Sequence, residues 1–246
     1  MSESYAPTVH LTPRQEVLRG MRDMVPLVVG ATPFGLIFGT LAASSNLSAG
    51  AAVAMSVLVF AGSAQFVSLG LLAAGTAVPL VILTTFVVNL RHLLYAVTLM
   101  PHLQGLDPKW KLLFSFWLTD ESFAVGIGRY NQPDQSPHKH WYLLGANALM
   151  YGNWVLCTVL GVTLGQQLPN AAALGLDFAM VVTFIGLVVP YLTTRPMLLA
   201  TAVAGLVALA AHGLPHQLGL FLAAIAGLIT AALSDPFTPE AERDAP

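Results

Sequence analysis

The sequence predicts an all-α integral membrane protein with about seven to eight transmembrane helices, some of them interrupted by Gly and Pro. Three observations carry that prediction. Charged residues make up 9% of the chain and hydrophobic ones 56%, whereas a soluble domain holds roughly 25% charged residues. Most of the ten Lys and Arg gather in the N-terminal stretch, a few connections and the last residues. Between them lie uncharged runs of the ~20 apolar residues that a hydrocarbon core requires. Nothing alternates with period two, so the spanning elements are helices rather than barrel strands.

Eight apolar segments follow in order: 24–43, 50–74, 77–100, 111–128, 141–165, 174–193, 197–211 and 216–233. Residues 1–23 read as a cytoplasmic N-terminal tail, 24–233 as a single polytopic transmembrane domain and 234–246 as a polar C-terminal tail. The first segment is too long for a signal-peptide core of ~7–15 residues and reads as a retained helix. If all eight segments span and the N-terminus is cytoplasmic, seven basic residues fall inside and two, Lys109 and Lys111, outside. A re-entrant second segment makes the split five to four, and a re-entrant fourth segment three to six. The excess of basic residues on cytoplasmic loops therefore favours eight spans with both termini inside.

Several classes are excluded. There is no basic run that would suit nucleic acid. A single cysteine, Cys157, rules out an internal disulfide and a multi-Cys metal site. The chain has neither a P-loop nor an HExxH pattern. No catalytic residue, metal or cofactor is predicted.

The informative residues are polar ones at membrane depth, where a charge costs at least ~2.5–3.5 kcal/mol on insertion scales. The third segment carries Asn89, Arg91, His92 and Tyr95 near its middle. Asn89 and His92 share a face at i, i+3, and Arg91 and Tyr95 are an i, i+4 pair. The fourth segment carries Asp120 and Glu121 mid-span. One of these carboxylates is expected to pair with Arg91, which leaves the other without a cation and able to carry a proton. Arg91 is read both as a structural lock and as a binder of a substrate carboxylate.

In the second segment, Gly62, Ser63 and Gln65 predict an unwound turn whose backbone groups face a ligand. In the first, Pro33 and Gly35 predict a second interruption. Gly35 and Gly39, and Gly161 and Gly165, form GxxxG faces suited to close helix packing. Asn147, Tyr151 and Trp154 make a polar-aromatic stripe on the fifth segment that reads as helix–helix glue, and Asp177 reads as a helix-terminus charge.

Five stretches together resemble the AzlC family: Pro33-Phe34-Gly35, Phe60 through Phe66, Asn89 through Tyr95, Leu118 through Phe123, and Leu176-Asp177-Phe178. They run in the family's order over roughly residues 17–233. The resemblance implies the large subunit of a bacterial branched-chain amino acid exporter in the inner membrane, moving valine, leucine, isoleucine or related amino acids. It also implies a small membrane partner resembling AzlD. The spare carboxylate, with no nucleotide site, points to proton coupling. Two rivals stand beside this reading. One is an uncoupled channel or facilitator. The other is an intramembrane enzyme built on Ser63, or on Asp120 and Glu121 with His92.

Overall fold

The computed structural model describes residues 11–45, 47–134, 136–167, 192–214 and 218–234, with residues 185 and 189. The predicted sixth segment, including Asp177, lies outside these residues. The described elements are helices: α1 (Pro13–Ser44), α2 (Ala49–Leu58), α3 (Gly62–Ala73), α4 (Val78–Leu103), α5 (Pro108–Phe116), α6 (Asp120–Tyr130), α7 (Lys139–Gln167), α8 (Arg195–Ala210) and α9 (Leu218–Ser234). Three of them, α1, α4 and α7, are long and apolar enough to cross a membrane. Two compact units result, Met1–Leu69 with Thr85–Leu176, and Gly70–Thr84 with Asp177–Pro246.

In the first unit α1 is the longest element, and it starts well ahead of the apolar stretch. Thr12 and Gln15 form a reciprocal capping box, and Pro13 occupies the first turn, where its missing N–H costs nothing. The predicted interruption at Pro33 is not there. The helix continues through both Pro26 and Pro33. Gly35 and Gly39 serve instead to let α7 approach. A Cβ on Gly35 would lie 2.7 Å from the Cβ of Cys157, and one on Gly39 would lie 2.9 Å from the Cα of Gly161. The two GxxxG faces thus meet each other. Gly20 sits against Tyr142 and Gly165 against Ala43, so α1 and α7 run parallel along their length.

The second and fourth apolar segments are not single spans. Each is two short helices folded back on themselves. With 10, 12, 9 and 11 residues in α2, α3, α5 and α6, none exceeds ~18 Å, against a core of ~30 Å. Contacts with α7 give their directions. Ser56 bonds Thr158 at 2.7 Å, and further on Phe60 packs on Tyr151 at 4.9 Å. So α2 runs antiparallel to α7. The chain then reverses. Gln65 reaches back to Ser56 at 2.9 Å, and Phe66 packs on Phe38 at 5.7 Å.

The α5–α6 pair does the same from the other end. Trp110 packs on Trp141 at 5.1 Å, and Trp117 on Tyr151 at 5.6 Å, so α5 runs parallel to α7. Then α6 returns alongside α4, with Phe123 stacked on Tyr95 at 4.6 Å and Tyr130 on His102 at 5.1 Å. The reversal has a local cause. Thr119 and Ser122 cap each other reciprocally, which starts a new helix at Asp120. Asp120 and Glu121 therefore sit in a first turn, where the helix dipole favours negative charge, rather than in mid-span. In the second unit α8 and α9 pack antiparallel, with Gly219 against Ala211 and Gly227 against Ala204.

Candidate functional site

The tips of the two hairpins are residues 59–61 and 117–119. The first tip is strained. Phe60 has φ 43°, a left-handed conformation that costs energy for a bulky side chain. Tyr151 holds both tips from α7. Its hydroxyl donates to the Val57 carbonyl at 2.9 Å, which caps the end of α2. Its ring meets Phe60, and also Phe116 and Trp117 at 6.2 and 5.6 Å.

Arg91, midway along α4, joins the two hairpins on their returning limbs. It donates to Asp120 Oδ2 at 2.7 Å and to Ser63 Oγ at 2.5 Å. The carboxylate that pairs with Arg91 is thus Asp120. Glu121 lies beside the Thr119 hydroxyl and makes no ion pair among the described residues. The first helical bond into α3 runs from the Gln65 N–H to the Ala61 carbonyl at 2.9 Å. Gly62, Ser63 and Ala64 precede it, as the amino-terminal donors of α3.

The cluster around Arg91 is chemically unfinished. Arg91 Nε, Asp120 Oδ1 and the neighbouring His92 Nε2 are buried and lack a hydrogen-bond partner among the described residues, as does Asn89 Oδ1 on another face of α4. Such groups cost about 1–3 kcal/mol each when left unpaired. Charge, free donors and free acceptors meet here within one junction. The ion pair thus keeps one free donor, on Arg91, and one free acceptor, on Asp120.

Other predicted residues are not in the junction. Gln65 is fully buried and committed. It donates to Ser56 at 2.9 Å and accepts from Trp154 Nε1 at 3.0 Å. Its side chain therefore holds the first tip in place rather than facing a ligand. Gly62 leaves room for the Trp154 ring, which would lie 2.9 Å from a Cβ at that position. Gly35 is a packing contact with α7, and Pro33 lies exposed on α1. Tyr95 is engaged in its stack on Phe123. The stripe on α7 is more than glue, since Tyr151 and Trp154 build the first tip.

A second ionic cluster lies outside the residues that the sequence singles out. Arg129 and Glu16 form a fully buried, bidentate pair. Asp134 accepts from Arg129 at 2.8 Å and pairs with Lys139 at 3.0 Å, and Ser136 donates to Glu16 at 2.9 Å. The Arg129 hydrogen bond, with that of Lys139, lowers the Asp134 pKa to about 2. Hydropathy places Glu16 in a tail and Arg129 in a loop. The signal that could find them is the capping box at Thr12, which makes Glu16 helical.

The chain matches the AzlC protein family over residues 26–168. That range contains both hairpins, Arg91 and Tyr151. The chain is similar to the inner membrane protein YgaZ of Escherichia coli strain K12, 28% identical over 75% of this chain and 77% of that protein. It is similar to the branched-chain amino acid transport protein AzlC of Bacillus subtilis strain 168, 28% identical over 74% and 72%. A membrane protein of Archaeoglobus fulgidus is 32% identical over 85% of this chain and 91% of its own length. No solved structure matches the chain. With more than half its length matching the family, and relatives named as membrane proteins, this chain is a membrane protein of the AzlC family.

Proposed function

We propose that the protein is a membrane transporter that exports branched-chain amino acids, coupled to protons, together with a small membrane partner subunit. The observation that carries this reading is the Arg91–Asp120–Ser63 junction with its unpartnered polar atoms. The printed name of the Bacillus subtilis relative supports the substrate class. In this reading the substrate carboxylate takes the free edge of Arg91 and the donors at the start of α3. The ammonium takes the free oxygen of Asp120. Glu121 is the proton carrier, because it lies at the same helix start without a cation of its own.

The test is competitive efflux of valine, leucine and isoleucine from cells that express the chain with its partner. Arg91→Gln should lower efflux of all three by about 10- to 100-fold. Glu121→Gln should leave exchange of substrate across the membrane intact while removing its dependence on the proton gradient. Efflux that proceeds at the same rate with the gradient collapsed identifies an uncoupled facilitator instead. Conversion of the amino acids, rather than their movement, identifies an enzyme.

A further inference from the structure

The order of elements from α1 to α6 contains a relation that the sequence does not display. A long helix, α1, is followed by the α2–α3 hairpin, and a second long helix, α4, is followed by the α5–α6 hairpin. The long helices point in opposite directions. α1 runs parallel to α7. α4 runs the other way, because α6 lies parallel to it from Asp120 to Tyr130 and ends at the start of α7. Each hairpin enters from the end its long helix has just reached, descends to the level of Arg91 and turns back. The two halves thus have inverted topology, a design in which transport sites lie where the halves meet.

The basic residues give the inverted pair an orientation. Arg14, Arg19 and Arg22 lie at the start of α1, Lys109 and Lys111 at the start of α5, and Arg129 and Lys139 around the α6–α7 connection. All of them belong to one end of the unit. A count that sets Lys109 and Lys111 apart from the rest assumes that both hairpin segments are single spans. Folded as hairpins, they return these two lysines to the same side as the others, which is the cytoplasmic side by the distribution of Lys and Arg.

We infer that α2–α3 and α5–α6 are re-entrant hairpins of an inverted repeat, entering from the outer and the cytoplasmic face respectively, and that an exported amino acid reaches Arg91 from the cytoplasm along the cleft between α4, α5 and α7. For its ligand this inference rests on the proposed transport function; for its topology it does not. The cleft is walled by Leu99, Met100, Leu118 and Leu143, with Ser115 and Lys111 beside them. Its apolar wall suits a branched side chain, and Lys111 sets a cation where a carboxylate would enter. Asn147 lies in the same wall, 1% exposed, and its Oδ1 has no partner among the described residues. The cavity is about 40 Å³, room for one water rather than an amino acid. The structure is therefore closed on this side, and passage requires α5–α6 to move away from α7.

The test is sided labelling with a membrane-impermeant thiol reagent in a Cys157→Ala background. Three single cysteines are placed at exposed turns: Ala74→Cys between α3 and α4, Gln104→Cys between α4 and α5, and Pro133→Cys after α6. The inference expects Ala74→Cys to label only from the outer face, and Gln104→Cys and Pro133→Cys only from the cytoplasmic face. Eight straight spans give the opposite sides for Ala74→Cys and Gln104→Cys. A single re-entrant segment fails at one position or more. Any pattern other than the expected one overturns the topology. For the path, Ser115→Cys is labelled from the cytoplasmic face in inside-out vesicles, with and without leucine. Leucine should slow the labelling at least severalfold. If efflux is normal and leucine gives no protection, the cleft is not the path. If no amino acid is exported at all, the transport reading falls while the labelling pattern still decides the topology.

Discussion

Among the described residues, two arginine–carboxylate pairs join different helices, and they are built differently. Arg129 and Glu16 are both 0% exposed. All three guanidinium nitrogens of Arg129 find acceptors, in Glu16, Asp134 and Gln132, and the ring of Tyr142 lies 5.9 Å away. Arg91 and Asp120 retain 30% and 14% exposure, and each keeps an unpartnered atom among the described residues. A buried pair is favourable only when its remaining donors and acceptors are also met. The first cluster meets that condition and reads as a clamp where the start of α1, the end of α6 and the start of α7 meet. The second does not, and an unfinished buried network is where a ligand has most to gain by binding.

The largest effect is expected from breaking the complete cluster. Arg129→Gln leaves Glu16 buried without a cation, a change that typically costs ~3–5 kcal/mol. Thermal unfolding in detergent should show a large loss of stability. Replacing both partners together, as Glu16→Leu with Arg129→Leu, should recover most of it. Failure of the double variant to recover would mean that the clamp does more than satisfy itself.

Arg91→Gln should separate the two clusters. Arg91 is less enclosed than Arg129, so the stability loss should be smaller than for Arg129→Gln. Efflux should nevertheless fall by about 10- to 100-fold, the loss that follows from removing a charged hydrogen bond worth ~1.5–3 kcal/mol. A double Arg91→Leu and Asp120→Leu variant should be stable and inactive. Restored efflux in that variant would make the Arg91 pair structural as well.

Gln65→Ala comes next. It leaves Trp154 Nε1 without an acceptor and Ser56 with Thr158 alone, at about 1–3 kcal/mol. Because Gln65 positions the first tip, efflux of valine, leucine and isoleucine should fall by the same factor, measured in one competition assay. A changed preference among the three would instead put the Gln65 side chain in contact with the substrate.

The smallest effect concerns Asp134, whose side chain is 43% exposed. Its pKa is lowered from 3.8 to about 2, by Arg129 above all. The stabilising contribution is therefore present above pH 3.8 and is lost as the pH falls through about 2. A partly exposed pair contributes under ~1 kcal/mol. Asp134→Asn should flatten the acid limb of the unfolding profile in that window and change little at neutral pH.

Composition and the spacing of apolar runs were sufficient to identify a helical membrane protein, because lipid leaves a chain no other way to satisfy its backbone here. The cost of burying a charge was sufficient to single out Arg91 and the two carboxylates Asp120 and Glu121, because that cost is a property of the residue and its depth, whereas the choice of Asp120 came from the structure. Local sequence also contained the restart at Asp120, as the Thr119–Ser122 capping box, although hydropathy alone merges α5 and α6 into one apparent span. What only the tertiary structure decided was direction. Whether two short apolar helices continue or fold back depends on which surface each meets, and α7 supplies that surface through Thr158, Trp154 and Tyr151. Hydropathy is the same for a span and for a hairpin of equal length, so only those long-range contacts distinguish them. Tertiary packing likewise brings Glu16 to Arg129, 113 positions away in the chain, a distance across which no local pattern in sequence could carry the pairing.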